Sequence, residues 1–132
     1  VPKPESLDHI HAAALPHVTL TAWQGLIEFA DLQEGQTVLI HAAAGGVGHV
    51  AVQLAKWRGA KVSGTASVNM PFLEELGVDQ PIDYTKVAFE DCVKDVDVVL
   101  DLLGGDGPRR DRPPRPLRPR VTRSRGAQVR IA

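Results

Sequence analysis

The stretch Val38-Leu39-Ile40-His41-Ala42-Ala43-Ala44-Gly45-Gly46-Val47-Gly48 decides how the rest of the chain is read. Residues 37–40 form a compact apolar run of strand length, entered from a turn at Glu34-Gly35. Beyond the glycines, Val47, Val50, Ala51, Leu54 and Ala55 fall at i, i+3, i+4, i+7 and i+8, one apolar face of a helix. Strand, glycine-rich turn and helix in this order present free N–H groups and the positive end of a helix dipole to whatever lies past the strand. A pyrophosphate suits that field. Gly45 lets backbone approach the phosphates, and Gly48 lets helix and strand pack closely. Ala43 stands where the usual pattern has its first glycine. A tight turn wants glycine for conformational reasons alone. The setting between a strand and an amphipathic helix, within a repeated β/α pattern, makes this a dinucleotide fingerprint.

The residues that follow bear on which nucleotide. An NAD site places a carboxylate about 20 residues past the fingerprint, on the ribose 2′-hydroxyl. No acidic residue lies between Gly48 and Glu74, and the next strand, residues 61–66, runs into Ser67-Val68-Asn69. Hydroxyl and amide groups there can donate to a 2′-phosphate that a carboxylate would repel, so NADP(H) is the expected cofactor. Cationic compensation is thin, because no Lys or Arg lies between Lys61 and Lys86.

Working outward, residues 6–15 read as a short helix with Ser6 as N-cap, ended by Pro16. From Thr21 a second helical pattern runs through Trp23, Leu26, Ile27 and Ala30, which makes Trp23 a core residue. Gly59 stops the helix after the fingerprint. A weaker repeat follows: a helix at 72–76 with Gly77 at its end, a strand at 81–84, a helix at 87–94 and a strand at 96–101. Strands alternating with helices predict an α/β fold, an incomplete Rossmann-type doubly wound parallel sheet of four strands at most. The fourth of these, residues 96–101, would then leave an unpaired edge.

The 132 residues suit one domain, and no apolar run is long enough to cross a membrane as a helix. The N-terminus lacks the basic start and apolar stretch of a secretory signal. One cysteine, Cys92, cannot form an internal disulfide, which points to a reducing, cytoplasmic setting. The net charge of −1 hides a split: residues 1–107 hold 15 of the 16 acids, whereas residues 108–132 hold nine arginines, five prolines and a single acid. Two domains of description follow, a partial NADP-binding unit at 1–107 with a helical lead-in and an Arg/Pro-rich tail at 108–132. The prolines forbid a continuous helix in the tail, only Val129-Arg130-Ile131 hints at extended structure, and the tail is expected to be disordered. Three readings of it stay open: a solvated tail, a basic nucleic-acid-binding segment without aromatic residues for stacking, and the product of a frameshifted or mis-joined coding sequence.

The motifs Ala14-Leu15-Pro16, Thr21-Ala22-Trp23, residues 35–48 and Ala51-Val52-Gln53-Leu54-Ala55-Lys56 together resemble a zinc-independent medium-chain dehydrogenase/reductase, in the quinone oxidoreductase (zeta-crystallin-like) branch. Leu76-Gly77-Val78-Asp79, Ile82-Asp83-Tyr84 and Asp97-Val98-Val99-Leu100-Asp101 extend the likeness. The resemblance implies an NADPH-dependent oxidoreductase that passes hydride to a small-molecule quinone or conjugated enone or enal. By position it implies that Ala43, Gly45, Gly46, Val47 and Gly48 hold the pyrophosphate. Ser67, Asn69 and Tyr84 would lie near the adenosine 2′-phosphate, and Thr21 near the nicotinamide. The family's substrate-binding domain is not represented, so the chain is expected to be a cofactor-binding fragment without turnover of its own and without catalytic residues. A homodimer is compatible with this, and a non-catalytic nucleotide-binding or interaction module is the competing class.

Other groups carry blander readings. His17 stands where zinc-dependent relatives have a ligand, but a catalytic zinc needs three protein ligands, so no metal is expected. His9 and His11 point to different helix faces. His41 and His49 flank the fingerprint, where packing or solvent contact is the simpler role, and Cys92 has no basic neighbour to activate it.

Overall fold

The computed structural model describes residues 2–103, 120–123 and 128–130. A helix, α1 (His9–Trp23), leads through a π-helical stretch, Gln24–Phe29, toward the first strand. Then come β1 (Thr37–Ile40), α2 (Gly48–Trp57), β2 (Lys61–Ala66), α3 (Met70–Glu75), β3 (Gln80–Asp83), α4 (Phe89–Cys92), β4 (Val98–Asp101), β5 (Arg120–Arg123) and β6 (Gln128–Arg130). The sheet order is β3-β2-β1-β4-β5-β6. The first four strands pair in parallel, as the alternation of strands and helices predicts.

The core lies between the sheet and the helices on its faces. Val38, Ile40, Val62, Val98 and Leu100 from the strands pack with Leu26, Ala51, Val52, Ala55 and Leu73 from the helical layers. Two aspartates brace the entry ends of the strands. Asp79 Oδ2 accepts the Val62 N–H at 2.7 Å, and Asp97 Oδ2 accepts the Thr37 N–H at 2.9 Å. Burial works against the Asp79 carboxylate, but the Val62 N–H and the Lys56 ammonium outweigh it and hold its pKa below the ordinary value. Gly59 and Gly77, at φ of +76° and +80°, turn the chain out of α2 and α3.

Several expectations need correction. Pro16 does not end the first helix; it sits inside α1, and the N-cap is Asp8, not Ser6. Asp8 accepts the His11 N–H at 2.8 Å, which also lowers its pKa. Pro16 leaves the Ala12 carbonyl without its helical donor, yet the helix continues to Trp23, with Ala22 in the core. Trp23 is not core. The five-residue closure of the π-helix, Ala30 N–H to Gly25 carbonyl, shifts the phase of the buried stripe to Ala22, Leu26 and Ala30. Trp23 turns outward onto Trp57, with ring centroids 6.3 Å apart.

The sheet has six strands among the described residues rather than four, and the β4 edge is covered. Leu100 pairs with Val121 and Asp101 with Arg120 in antiparallel register, and β6 pairs outside β5. Expected disorder therefore does not hold at Arg120–Arg123 and Gln128–Arg130, both free of proline. The pair Val121-Thr122 has the β-branched side chains a strand favours, and Val121 is buried. The rest of the expected tail, residues 108–119, 124–127 and 131–132, lies outside the described residues.

Candidate dinucleotide-binding site

Three of the parallel crossovers run β1 to β2, β2 to β3 and then back across β1 to β4, so the chain reverses its winding between β1 and β4. Open α/β sheets bind ligands beyond the carboxyl ends of the strands at such a point. The glycine-rich turn lies there. Ala43 is buried, and its N–H donates to the Thr65 carbonyl at 2.9 Å, tying the turn to β2. Gly45 N–H donates to the Ala42 carbonyl at 2.9 Å, which curls the chain into α2.

Gly48 is the tightest position. A Cβ there would stand 2.2 Å from the Ala42 oxygen and 2.8 Å from both the Cα and the oxygen of Ala43. Gly45 and Gly46, by contrast, are exposed. Helix α2 has no side-chain N-cap and no acid in its first turn; the His49 N–H donates back to the Gly45 carbonyl at 3.0 Å, and no side chain offsets the positive end of the helix dipole. A pyrophosphate fits this cradle: small residues at the turn, exposed backbone and an uncompensated helix end.

The residue with left-handed backbone is Ala42, at φ +51°, one place before the Ala43 read as the missing first glycine. Gly64 on β2 also belongs to the cradle, because a Cβ there would meet the Ala43 Cβ at 2.9 Å. Sequence reading missed it, although a glycine inside an apolar strand is itself a sign of close approach.

The other predicted residues form two groups. Ser67 and Asn69 follow β2 and are exposed, with Asn69 left-handed at φ +58°. Tyr84 follows β3, is also exposed, and donates its N–H to the Ala66 carbonyl at 3.3 Å, which brings the two strand exits side by side. Thr21 lies on α1, whose Val18 is the nearest neighbour a Cβ on Gly46 would meet, at 3.9 Å. The Thr21 hydroxyl donates to the His17 carbonyl at 2.9 Å and keeps its acceptor lone pairs.

His41 follows β1 directly, at the start of the turn. Its N–H donates to the Leu100 carbonyl, its Nδ1 lies 3.1 Å from the Thr65 hydroxyl, and its ring meets Phe89 edge-on at 4.7 Å. Burial holds the imidazole pKa below its ordinary value, against the opposing pull of Asp101 and Glu90. His49 has its Nδ1 2.9 Å from the Gly45 carbonyl. Among the described residues no three His, Cys, Asp or Glu side chains converge to hold a metal, and no helix is long and apolar enough to cross a membrane.

This fold and turn define the class: a Rossmann-type dinucleotide-binding unit. Residues 46–109 match the family described as zinc-binding dehydrogenase. The chain is 44% identical over 105 residues to 2-methylene-furan-3-one reductase of Solanum lycopersicum, covering 77% of this chain and 27% of that protein. It is 40% identical over 105 residues to the chloroplastic NADPH-dependent alkenal/one oxidoreductase of Arabidopsis thaliana, with the same coverage of 77% and 27%. Among solved structures, the quinone oxidoreductase from Coxiella burnetii superposes with a TM-score of 0.76 at 47% identity, over 80% of this chain and 34% of that one. The chain belongs to the medium-chain dehydrogenase/reductase family, as a partial nucleotide-binding domain of its quinone oxidoreductase branch. It spans 27% of the length of either curated relative.

Proposed function

We propose that the chain is the cofactor-holding part of an NADPH-dependent oxidoreductase that reduces quinones or conjugated enones and enals. The observation that carries this reading is the cradle at Gly48, closed to any side chain and facing an open helix end at the switch point of the sheet. A bound nicotinamide dinucleotide supplies the hydride. The chain's own part is to bind and orient it. Ala43, Gly45, Gly46, Val47 and Gly48 would receive the pyrophosphate, with Ser67, Asn69 and Tyr84 at the adenosine 2′-phosphate. Thr21 would accept a hydrogen bond on the nicotinamide side.

The names of the relatives support the substrate class, since a furanone with an exocyclic methylene, an alkenal and a quinone are all conjugated acceptors. Hydride transfer needs donor and acceptor held near contact distance, and relatives of this length carry most of their residues elsewhere. This chain's part is expected to be binding and orienting the cofactor, in a reducing cytoplasmic setting, and a homodimer is compatible with that part. The test is calorimetric titration of the purified chain with NADPH and NADH. NADPH should bind more tightly, and binding should fail in Gly45→Val. NADH binding as well as NADPH would refute the cofactor assignment.

A further inference from the structure

The tryptophan pair at the far end of α2 has no part in the dinucleotide site. Trp57 is 66% exposed and Trp23 37% exposed, with their rings tilted by 33° and centroids 6.3 Å apart. Leu20, three residues before Trp23 on α1 and so its neighbour on the helix surface, is exposed too. We propose that this aromatic surface is the docking site for the Arg/Pro-rich segment 110–118 of a second copy of the chain, each copy lending its segment to the other.

The first argument is the pattern of the segment, which lies outside the described residues. Prolines three apart suit a polyproline II helix, which turns once every three residues and docks on aromatic-lined surfaces. Pro113 and Pro116 have that spacing, with Arg110 three residues before the first and Arg118 two residues after the second.

The second argument is charge. Trp57 already carries one guanidinium, that of Arg58, whose Cζ stands 5.8 Å from the ring centroid while its Nε donates to the Leu32 carbonyl at 3.2 Å. The ring is thus a surface on which arginine stacks. Two exposed carboxylates border the pair. Glu34 reaches the turn after Trp57, where a Cβ on Gly59 would meet its Cγ at 2.9 Å. Glu28 follows Trp23 by five residues, the span over which the π-helical stretch closes its turns. Neither is in a salt bridge among the described residues. Over the whole chain, residues 1–107 hold 15 acids against six Lys and Arg, and residues 108–132 hold nine Arg against one acid.

The third argument is reach, which selects a second copy. Arg120 pairs with Asp101 at the carboxyl end of β4. Pro116 precedes Arg120 by four residues, which span about 14 Å at most. Helix α2 starts at that end of the sheet and carries Trp57 about 15 Å along its axis, in a layer outside the strands. The segment therefore falls short of Trp57 in its own chain, and reciprocal exchange between two copies closes into a dimer.

Sedimentation equilibrium of the full chain over about a hundredfold range of concentration tests this. The parent should rise toward twice the monomer mass, and Trp57→Ala and the double variant Pro113→Ala/Pro116→Ala should each weaken association about tenfold or more. Trp57→Phe, which keeps an aromatic face, should recover most of the loss, and added salt should weaken the parent. The two weakened variants mixed together should associate better than either alone, because one copy brings an intact tryptophan pair and the other an intact segment. Far-ultraviolet circular dichroism separates loss of fold from loss of contact. A parent that stays monomeric, an association that either variant leaves unchanged, or a mixture no stronger than its components would each overturn the proposal. Titration of the same variants with NADPH should give the parent's affinity, so the dinucleotide reading stands or falls separately.

Discussion

Replacing Gly48 by alanine puts one methyl group against three backbone atoms, the Ala42 oxygen at 2.2 Å and the Cα and oxygen of Ala43 at 2.8 Å. None of these can swing aside as a side chain would. Relief requires moving the turn, and the turn is tied down by Ala43 N–H to the Thr65 carbonyl and Gly45 N–H to the Ala42 carbonyl. Alanine gains about 1 kcal/mol over glycine in a helix. Overpacking a rigid site costs about 1–3 kcal/mol and more where backbone must shift, and the closeness of the 2.2 Å contact places this site at the upper end. The expected net loss is about 2–3 kcal/mol, or roughly 1 M in the urea midpoint for an m-value of about 2 kcal/mol/M. Gly46→Ala is the matched control, because its nearest neighbour is the Val18 Cγ1 at 3.9 Å, an ordinary contact. That variant should match the parent or exceed it by up to about 1 kcal/mol through a less flexible unfolded chain. Urea unfolding followed by far-ultraviolet circular dichroism decides it. A Gly48→Ala variant within about 0.5 kcal/mol of the parent would refute the idea that close backbone approach fixes this glycine.

Two further outcomes are expected. His41 is held neutral by burial, so its contribution to stability is complete above about pH 6.5, the unfolded value, and falls away as pH drops toward its lower folded value; His41→Gln should flatten the melting temperature between pH 7.5 and 5, and an unaltered profile would count against it. Ala42→Gly should raise stability by about 0.5–1 kcal/mol by relieving the left-handed backbone at φ +51°, read as the urea midpoint, whereas a loss would mean the alanine methyl packs more than it strains.

The strands β1 and β2 are legible in the sequence to the residue, and the helix between them nearly so, because apolar period, glycine placement and helix stop agree there. The cradle was legible as a pattern, but Ala42 and Gly64 were not. Which alanine turns left-handed depends on the hydrogen bond from Ala43 to Thr65, a contact across 22 residues that no local motif encodes. The first helix was misread for a similar reason. A proline inside a helix is a local stop signal, and the packing of Val18 and Ala22 against the core, which carries α1 through it, is a tertiary fact. Trp23 followed the ordinary helical period, which the π-helical stretch breaks. β5 is hidden by the prolines that precede it and by its arginines; what selects it is the open edge of β4.

The position of β1 between β2 and β4 has a kinetic side. Thr37 meets Lys61 across 24 residues, but Val38 meets Val98 across 60. Closing the longer loop costs about 0.8 kcal/mol more chain entropy than closing the shorter one. The β1-β2-β3 flank is therefore the cheaper half to assemble, and β4 docks onto it at greater sequence distance, drawing Asp97 onto Thr37 and Leu100 onto His41 as it comes. The glycine turn sits on the seam between these halves. It is anchored on one side by Ala43 to the early flank and bordered on the other by β4, so the anion cradle takes its final shape only once β4 has docked.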